Sequence, residues 1–348
     1  MTMRKNVNFF SSILTMVLVG TLLAGCGTNT KETGTGPAAS DDAKNAKGPK
    51  YTFRLADTHP PDYPTVIGDK KFAELVSEKS GGRIKIEVFP SSQLGEEKAV
   101  IEQVQLGAIE FTRVSTGALG GFNKQYEVFS LPYIFESDEH MWKFLNGEEG
   151  SKLLDSLESS RMKGLAYYSS GARSFYSTKP LKSIEDIKGQ KIRVIQNKVN
   201  IDLMEALGAS ATPMPYGEVF SALQTGIIDA AENNYPSYFS SNHFQQAKNL
   251  ILDRHQRVPE TLLISKITWD KLSEEDRTII QEAAAESVAT QREAWDKFEK
   301  ESEEKIKAAG VTITEVTDLE PWRNAVKPVI DKYRAEYGAV MDAIEKAK

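Results

Sequence analysis

Arg193 lies in GQKIRVIQNK, residues Gly189 to Lys198. Ile192 and Val194 alternate with it, so the stretch reads as a short strand whose apolar face is opposite Arg193. Twenty residues earlier GARSFYSTK places Arg173 at a similar strand end, and FTRVS carries Arg113. DAAENNYPSY adds Glu232, Asn233, Asn234 and Tyr235. A guanidinium is planar and donates paired hydrogen bonds to a carboxylate. An Asn side chain offers donors and an acceptor to a hydroxylated ligand. Several arginines brought to one cleft would repel one another, and an anion is their natural partner. Taken singly, each arginine also reads as part of a solvated strand face.

Other chemistry is absent from the text. The four histidines, His59, His140, His243 and His255, are not spaced as metal ligands. There is no HExxH, no CxxC, no nucleophile elbow and no Gly-rich phosphate loop after a strand. Neither a metal nor a cofactor is expected, and a binding role is favoured over an enzyme.

The elements that must position these side chains alternate between strand and helix. YTFRLA alternates as a strand and stops at Pro60-Pro61; FAELVSEK has helical spacing closed by Gly81-Gly82. RIKIEVFP puts Ile84, Ile86 and Val88 on one face, GEEKAVIEQVQLG is helical, and AIEFTRV is again a strand. The same alternation returns through KIRVI, NIDLMEALGA, EVFSALQTG and IIDAAENN, which argues for α/β units over mostly parallel sheet. In such sheets ligands bind at the carboxyl ends of strands, where these polar groups fall. After Ser273, a capping residue, the chain runs to Gly310 without Pro or Gly. One helix of that length would reach across two lobes; two helices fit the pattern equally well. VTITEV and a helix from Pro321 close the chain.

The ends bound the compartment. Arg4 and Lys5 precede an apolar run from Phe9 to Leu23, short for a membrane span and suited to a signal peptide over residues 1–25. It ends in LLAGC, the lipobox pattern, with Cys26 as the lipid-bearing residue and the only cysteine in the chain. Residues 26–50, rich in Gly, Thr, Ala and charge, read as a flexible tether. Two lipid chains on Cys26 suffice for stable membrane anchoring. The net charge is −6, or −8 without Arg4 and Lys5, so an exported acidic protein is a poor nucleic-acid partner. A monomer is expected.

The text also resembles a family. PSSQLGEEK, QLGAIEF, SLPYIF, GARSFYSTKPLKSIEDIKGQKIRV, MEALGASATPMPYGEVFSALQTGIIDAAENNYPSY and SKITWDKLSEEDR look like the solute receptors of TRAP transporters, the DctP type. The resemblance implies an α/β, two-lobed periplasmic-binding-protein-like (type II) fold with a long helix spanning both lobes. It implies lobe 1 over 51–175 plus about 262–300, and lobe 2 over 176–261 plus about 301–348. It implies closure around an organic acid and delivery to TRAP membrane subunits. It makes Arg193 the carboxylate clamp, Arg173 the second arginine and Asn233 a ligand-binding residue. ADTHPPDYPTV with His59, GEEK with Glu97, and FTRVS with Arg113 are similar to the subgroup that binds hexuronates such as glucuronate and galacturonate. His59, Glu97, Arg113 and Gln196 would then meet sugar hydroxyls. Arg113 as the ion-pair partner of an acidic neighbour, and Glu97 as a helix-start carboxylate, remain the structural alternatives. Tyr235 stands where the uronate receptors look to carry Trp. A C4-dicarboxylate receptor and a receptor of an ABC-type importer are the competing readings.

Overall fold

The computed structural model describes residues 48–348. The expected signal peptide, Cys26 and nearly all of the tether lie outside the described residues. Two mixed sheets carry the fold. The first runs β2 (Ile84–Phe89), β1 (Tyr51–Ala56), β3 (Phe111–Ser115), β10 (Glu260–Ser265), β4 (Met162–Tyr168). The second runs β11 (Thr312–Glu315), β9 (Asn249–Arg257), β5 (Ala172–Ser177), β8 (Ala230–Asn233), β6 (Lys191–Val194), β7 (Ser210–Pro213).

Each sheet is parallel except for one strand. In the first, β1 is parallel to β2 and β3, and β10 opposes β3 and β4. In the second, β5 opposes β8 and β9, while β6 is parallel to β7 and β8, and β11 to β9. The reversed strand is always the one arriving from the other sheet: β5 follows β4, and β10 follows β9. A strand that crosses between lobes enters its new sheet from the end at which the parallel strands finish. Its first residues therefore lie where ligands bind in α/β sheets.

The central strands β3 and β10 are buried along their whole length. Phe111, Leu262 and Ile264 pack with Phe72, Val76 and Ile84 in one apolar cluster. Val114 and Leu263 pack with Phe129, Met141 and Leu145 in another. Alternate residues thus serve opposite faces, as a strand covered on both sides requires.

The lobe boundaries differ from the expectation. A division between 175 and 176 would cut β5, which pairs entirely in the second sheet, and β10 joins the first sheet from Glu260. The turn into β5 is made by Gly171, with φ of +59°, a conformation that favours glycine. The chain from Glu274 to Ala308 is one helix of 35 residues, roughly 52 Å long at 1.5 Å per residue. Ser273 caps it, its Oγ accepting from the Asp276 N–H at 3.1 Å. Ile280, Ala283 and Ala284 pack on the first sheet's cluster, and Ile306 packs on a second-sheet cluster, so the helix spans both. The terminal helix, Glu320–Lys346, was expected in lobe 2 alone but also bridges. Trp322 and Val326 pack with Phe175 and Ile192; Val329, Tyr333, Tyr337, Met341 and Ile344 pack with the Phe129 cluster. Those seven residues form one stripe at helical spacing, long enough to cover both lobes.

Candidate ligand-binding site

The carboxyl ends of β1, β3, β6 and β8 meet at a cleft between the sheets. A small pocket of 30 Å³ there is lined by His59, Glu97, Arg173, Arg193 and Asn233, together with Tyr216 and Glu260. A larger cavity of 610 Å³ adjoins it and shares Arg193, Glu97, Ile195 and Tyr216; Gln196 lines this second space. Five of the eight candidate residues therefore share one pocket, and Gln196 lies next door. Arg113 stands directly behind, fully buried.

Arg193 is only 5% exposed although it alternates with the buried Ile192 and Val194, because β6 is covered on both faces. Its Nε and Nη2 donate to the carbonyl oxygen of Met214, just beyond β7, at 3.1 and 2.9 Å. Among the described residues no carboxylate lies within ion-pair distance of it. Burial disfavours its charge, Glu232 partly offsets this, and the Arg173 guanidinium adds to it, so its pKa lies below the ordinary arginine value. Arg173 has its own counter-ion. Its Nε pairs with Glu232, its Nη2 donates to Glu232 Oε1 and to the Glu232 carbonyl at 2.9 Å each, and its Nη1 donates to Asn233 Oδ1 at 2.9 Å. Burial alone would lower its pKa, but Glu232 outweighs burial and raises it. The pocket thus holds one uncompensated guanidinium, not two.

Arg113 shows the opposite pattern. Its Nε donates to Asp57 Oδ2 at 2.8 Å, its Nη2 to Asp57 Oδ1 and Thr58 Oγ1, and its Nη1 to Glu260 Oε2 at 2.8 Å and Glu97 Oε1 at 3.2 Å. Nη2 also lies 2.6 Å from His59 Nδ1. Arginine only donates, so that His59 nitrogen accepts and the ring's proton sits on Nε2. Burial and Arg113 both hold the His59 pKa down, which keeps the ring neutral. It stacks on Tyr63 with centroids 3.9 Å apart. Burial pushes the Glu97 carboxyl up, Arg113 opposes this, and Glu260 adds to the upward shift. Burial would raise Asp57 as well, but the Arg113 guanidinium holds it well below the usual carboxylate range.

Tyr235 is not brought to the pocket. Asn234 caps the short helix Tyr235–Ser240, its Oδ1 accepting from the Ser237 N–H at 2.8 Å. That turn places Tyr235 in an adjoining 60 Å³ cavity with Leu250, Leu252, Arg254 and Glu299, which shares Asn233 and Asn234 with the pocket. The aromatic wall of the cleft is Tyr216, which sequence reasoning passed over, as it did Asp57 and Glu260. Glu232 was noticed in the text but given no role. Glu260 opens β10 directly after Pro259, and a reversed crossing strand is what would have marked its first residue. Among the described residues no group of three or more His, Cys, Asp or Glu is arranged to hold a metal ion. Nor, among them, is any helix long and apolar enough to cross a membrane.

The lobes touch around the cleft. Tyr63 Oη and Ser237 Oγ share a 2.7 Å hydrogen bond, and the Gly217 N–H donates to Glu96 Oε2 at 3.3 Å. The model of the bacterial extracellular solute-binding proteins, family 7 (DctP), matches residues 55–336. The chain belongs to this family. A solute-binding protein of Chromohalobacter salexigens is 39% identical over 287 residues, 82% of this chain and 85% of the relative. Two solved structures are similar throughout the folded part. One is a TRAP periplasmic solute-binding protein from Pseudomonas putida F1 with bound D-glucuronate: 41% identity, TM-score 0.83, covering 85% of this chain and 97% of the other. The second, from a Bradyrhizobium species in complex with galacturonate, has 42% identity and TM-score 0.83, covering 85% and 99%. The two-lobed solute-receptor fold of the DctP family is thus the fold of this chain.

Proposed function

We propose that this DctP-family protein is the extracytoplasmic receptor of a TRAP transporter, binding a hexuronate such as glucuronate or galacturonate and passing it to the membrane subunits. One observation carries the reading: Arg193 is buried at the cleft and, among the described residues, has a carbonyl oxygen as its only hydrogen-bond partner. A buried guanidinium without a carboxylate is costly, and a ligand carboxylate removes that cost. Arg173, held by Glu232 and donating directly to Asn233 Oδ1, flanks it with Asn233 as a fixed wall. His59 and Glu97 line the far side, suited to sugar hydroxyls. Gln196 would serve the part of the ligand that enters the larger cavity. The similar proteins with bound uronates support the ligand class.

The small pocket at Arg193 continues into the 610 Å³ cavity, which gives a sugar acid room beyond the clamp. The lobes close around the ligand, which favours the closed state by differential affinity. The role is binding, as in the rest of the family, and not turnover. The LLAGC sequence supports lipid attachment at Cys26, with residues 26–50 as the tether that keeps a monomeric receptor near its transporter.

Titration calorimetry on the full chain in detergent tests this. D-glucuronate or D-galacturonate is expected to bind, and Arg193→Ala to lose at least about 2 kcal/mol, roughly thirtyfold. Near-normal binding by a folded Arg193→Ala variant would remove the clamp from the mechanism.

A further inference from the structure

The pocket is electrically lopsided. At one end Arg193 has no carboxylate partner among the described residues. At the other, one guanidinium, Arg113, faces three carboxylates: Asp57, Glu97 and Glu260. Asp57 spends both oxygens on the protein, accepting from Arg113, from the His59 N–H at 2.6 Å and from Thr65 Oγ1 at 2.8 Å. Glu97 and Glu260 do not. Glu97 gives Oε1 to Arg113 Nη1 and to the Ser115 N–H. Glu260 gives Oε2 to the same Nη1. Among the described residues, Glu97 Oε2 and Glu260 Oε1 have no hydrogen-bond donor, and both residues line the pocket. Sharing one nitrogen fixes the two carboxylates as close neighbours, each anchored by one oxygen and offering the other.

We infer that Glu260, acting with Glu97, reads two neighbouring hydroxyls of the ligand and rejects a second carboxylate. The inference rests on the sugar-acid reading above. A carboxylate oxygen only accepts, so its natural partner is a donor without negative charge, and a hydroxyl is one. A pair of such oxygens held side by side fits a diol on adjacent ring carbons. A ligand with a carboxylate at each end would seat one on Arg193 and drive the other against an excess of buried negative charge. Like charges so placed oppose binding strongly, which makes the acidic end a device of specificity as much as of affinity. Glu260 reaches this place because β10 is the crossing strand and begins at the cleft. Positions 97 and 260 belong to different segments of the first lobe, so the diol reader is assembled before closure, and the second lobe brings the carboxylate clamp to it.

The test is calorimetry on the full chain in detergent, wild type and Glu260→Gln, with D-glucuronate, D-galacturonate and succinate. Gln keeps the size of the side chain and removes its charge. The variant is expected to bind the hexuronates at least tenfold more weakly while succinate binding holds or improves, so that the preference for uronate over succinate falls at least tenfold. Glu97→Gln, at a helix start whose side chain is 18% exposed, is expected to move the preference in the same direction and guards against a folding defect at Glu260. An equal loss for all ligands would mean that Glu260 acts only by holding Arg113, and would overturn the inference. A wild type that binds hexuronates, with variants whose preference is unchanged, overturns it while leaving the ligand reading in place. A wild type that binds succinate and neither hexuronate overturns both.

Discussion

Arg113 and Arg193 are both buried guanidiniums at the ends of strands in the same cleft, and the protein treats them in opposite ways. Arg113 has every donor engaged, mostly on Asp57, Glu97 and Glu260. Arg193 has one carbonyl oxygen. Burial is equal in the two cases, so burial alone does not say which arginine serves a ligand. The informative quantity is what remains uncompensated once the protein's own partners are counted. On that count Arg113 is part of the wall, Arg193 faces the ligand, and Arg173, neutralised by Glu232, belongs between them.

The largest effect expected from this contrast is on folding. Arg113→Met leaves three carboxylates buried around no cation, and such a change costs about 3–5 kcal/mol. Urea unfolding of the ligand-free protein measures it. Arg193→Met removes a buried charge that has no ionic partner, so the ligand-free protein should unfold at the same denaturant concentration or a higher one, while ligand affinity falls by at least about 2 kcal/mol. If Arg113→Met were as stable as wild type, or Arg193→Met markedly less stable, the distinction between wall and clamp would fail.

A third uncompensated group lies at the crossover from β4 to β5. Gln291, Trp295 and Glu299 follow one another at successive turns of the long helix. Gln291 exchanges hydrogen bonds with Ser169, its Oε1 accepting from the N–H at 2.8 Å and its Nε2 donating to the carbonyl at 3.0 Å. A Cβ on Gly171 would come within 2.8 Å of Glu299 Oε1 and 2.9 Å of Trp295, so the helix and the crossover are in tight contact. Burial, with Asp138 and Asp296 nearby, raises the Glu299 carboxyl from 4.5 to about 7. The folded state then holds this proton more tightly than the unfolded chain. Its contribution is intact below about pH 4.5 and is lost as pH rises through about 7. Half-buried as it is, Glu299 should account for roughly 1–2 kcal/mol of that loss, and Glu299→Gln should flatten the slope of stability between those values. An unchanged slope in the variant would show that water compensates this carboxyl and that only the cleft carries uncompensated charge.

Local pattern carried part of this structure and topology carried the rest. Alternation in KIRVI placed Arg193 opposite Ile192 and Val194, and the unbroken run after Ser273 does form a single helix. That Arg193 is buried on one face as Ile192 and Val194 are on the other, which is what makes its charge costly, depends on what packs over the sheet and cannot be read from four residues. The resemblance supplied the convergence of His59, Glu97, Arg173, Arg193 and Asn233 on one pocket. It supplied nothing about Glu260, whose contact with Arg113 spans 147 positions and exists only because β10 is reversed between β3 and β4. Tyr235 was misplaced because an Asn cap one residue earlier turns the chain, a feature that spacing along the strand does not register. The lobe boundary was drawn through β5 because a crossing strand looks, in sequence, like any other.

The smallest expected effect concerns closure itself. Gly217 donates its N–H to Glu96 Oε2 across the cleft at 3.3 Å, and a Cβ there would stand 2.5 Å from Glu96 Oε1. The obstructing atom is the end of a flexible side chain, so in Gly217→Ala the carboxylate swings away and the backbone stays. One long, partly exposed hydrogen bond between the lobes is lost, worth about 1 kcal/mol or less. The loss should appear as faster ligand dissociation with association little changed, because the contact forms only after the lobes meet. Glu96→Ala should give the same change, and the double variant no more than either alone, since both remove one interaction. Stopped-flow measurement of the three variants decides it. Were Gly217→Ala to weaken binding as much as Arg193→Ala, the contact between lobes and not the unpaired guanidinium would dominate affinity, and the contrast between the two arginines would lose its functional meaning.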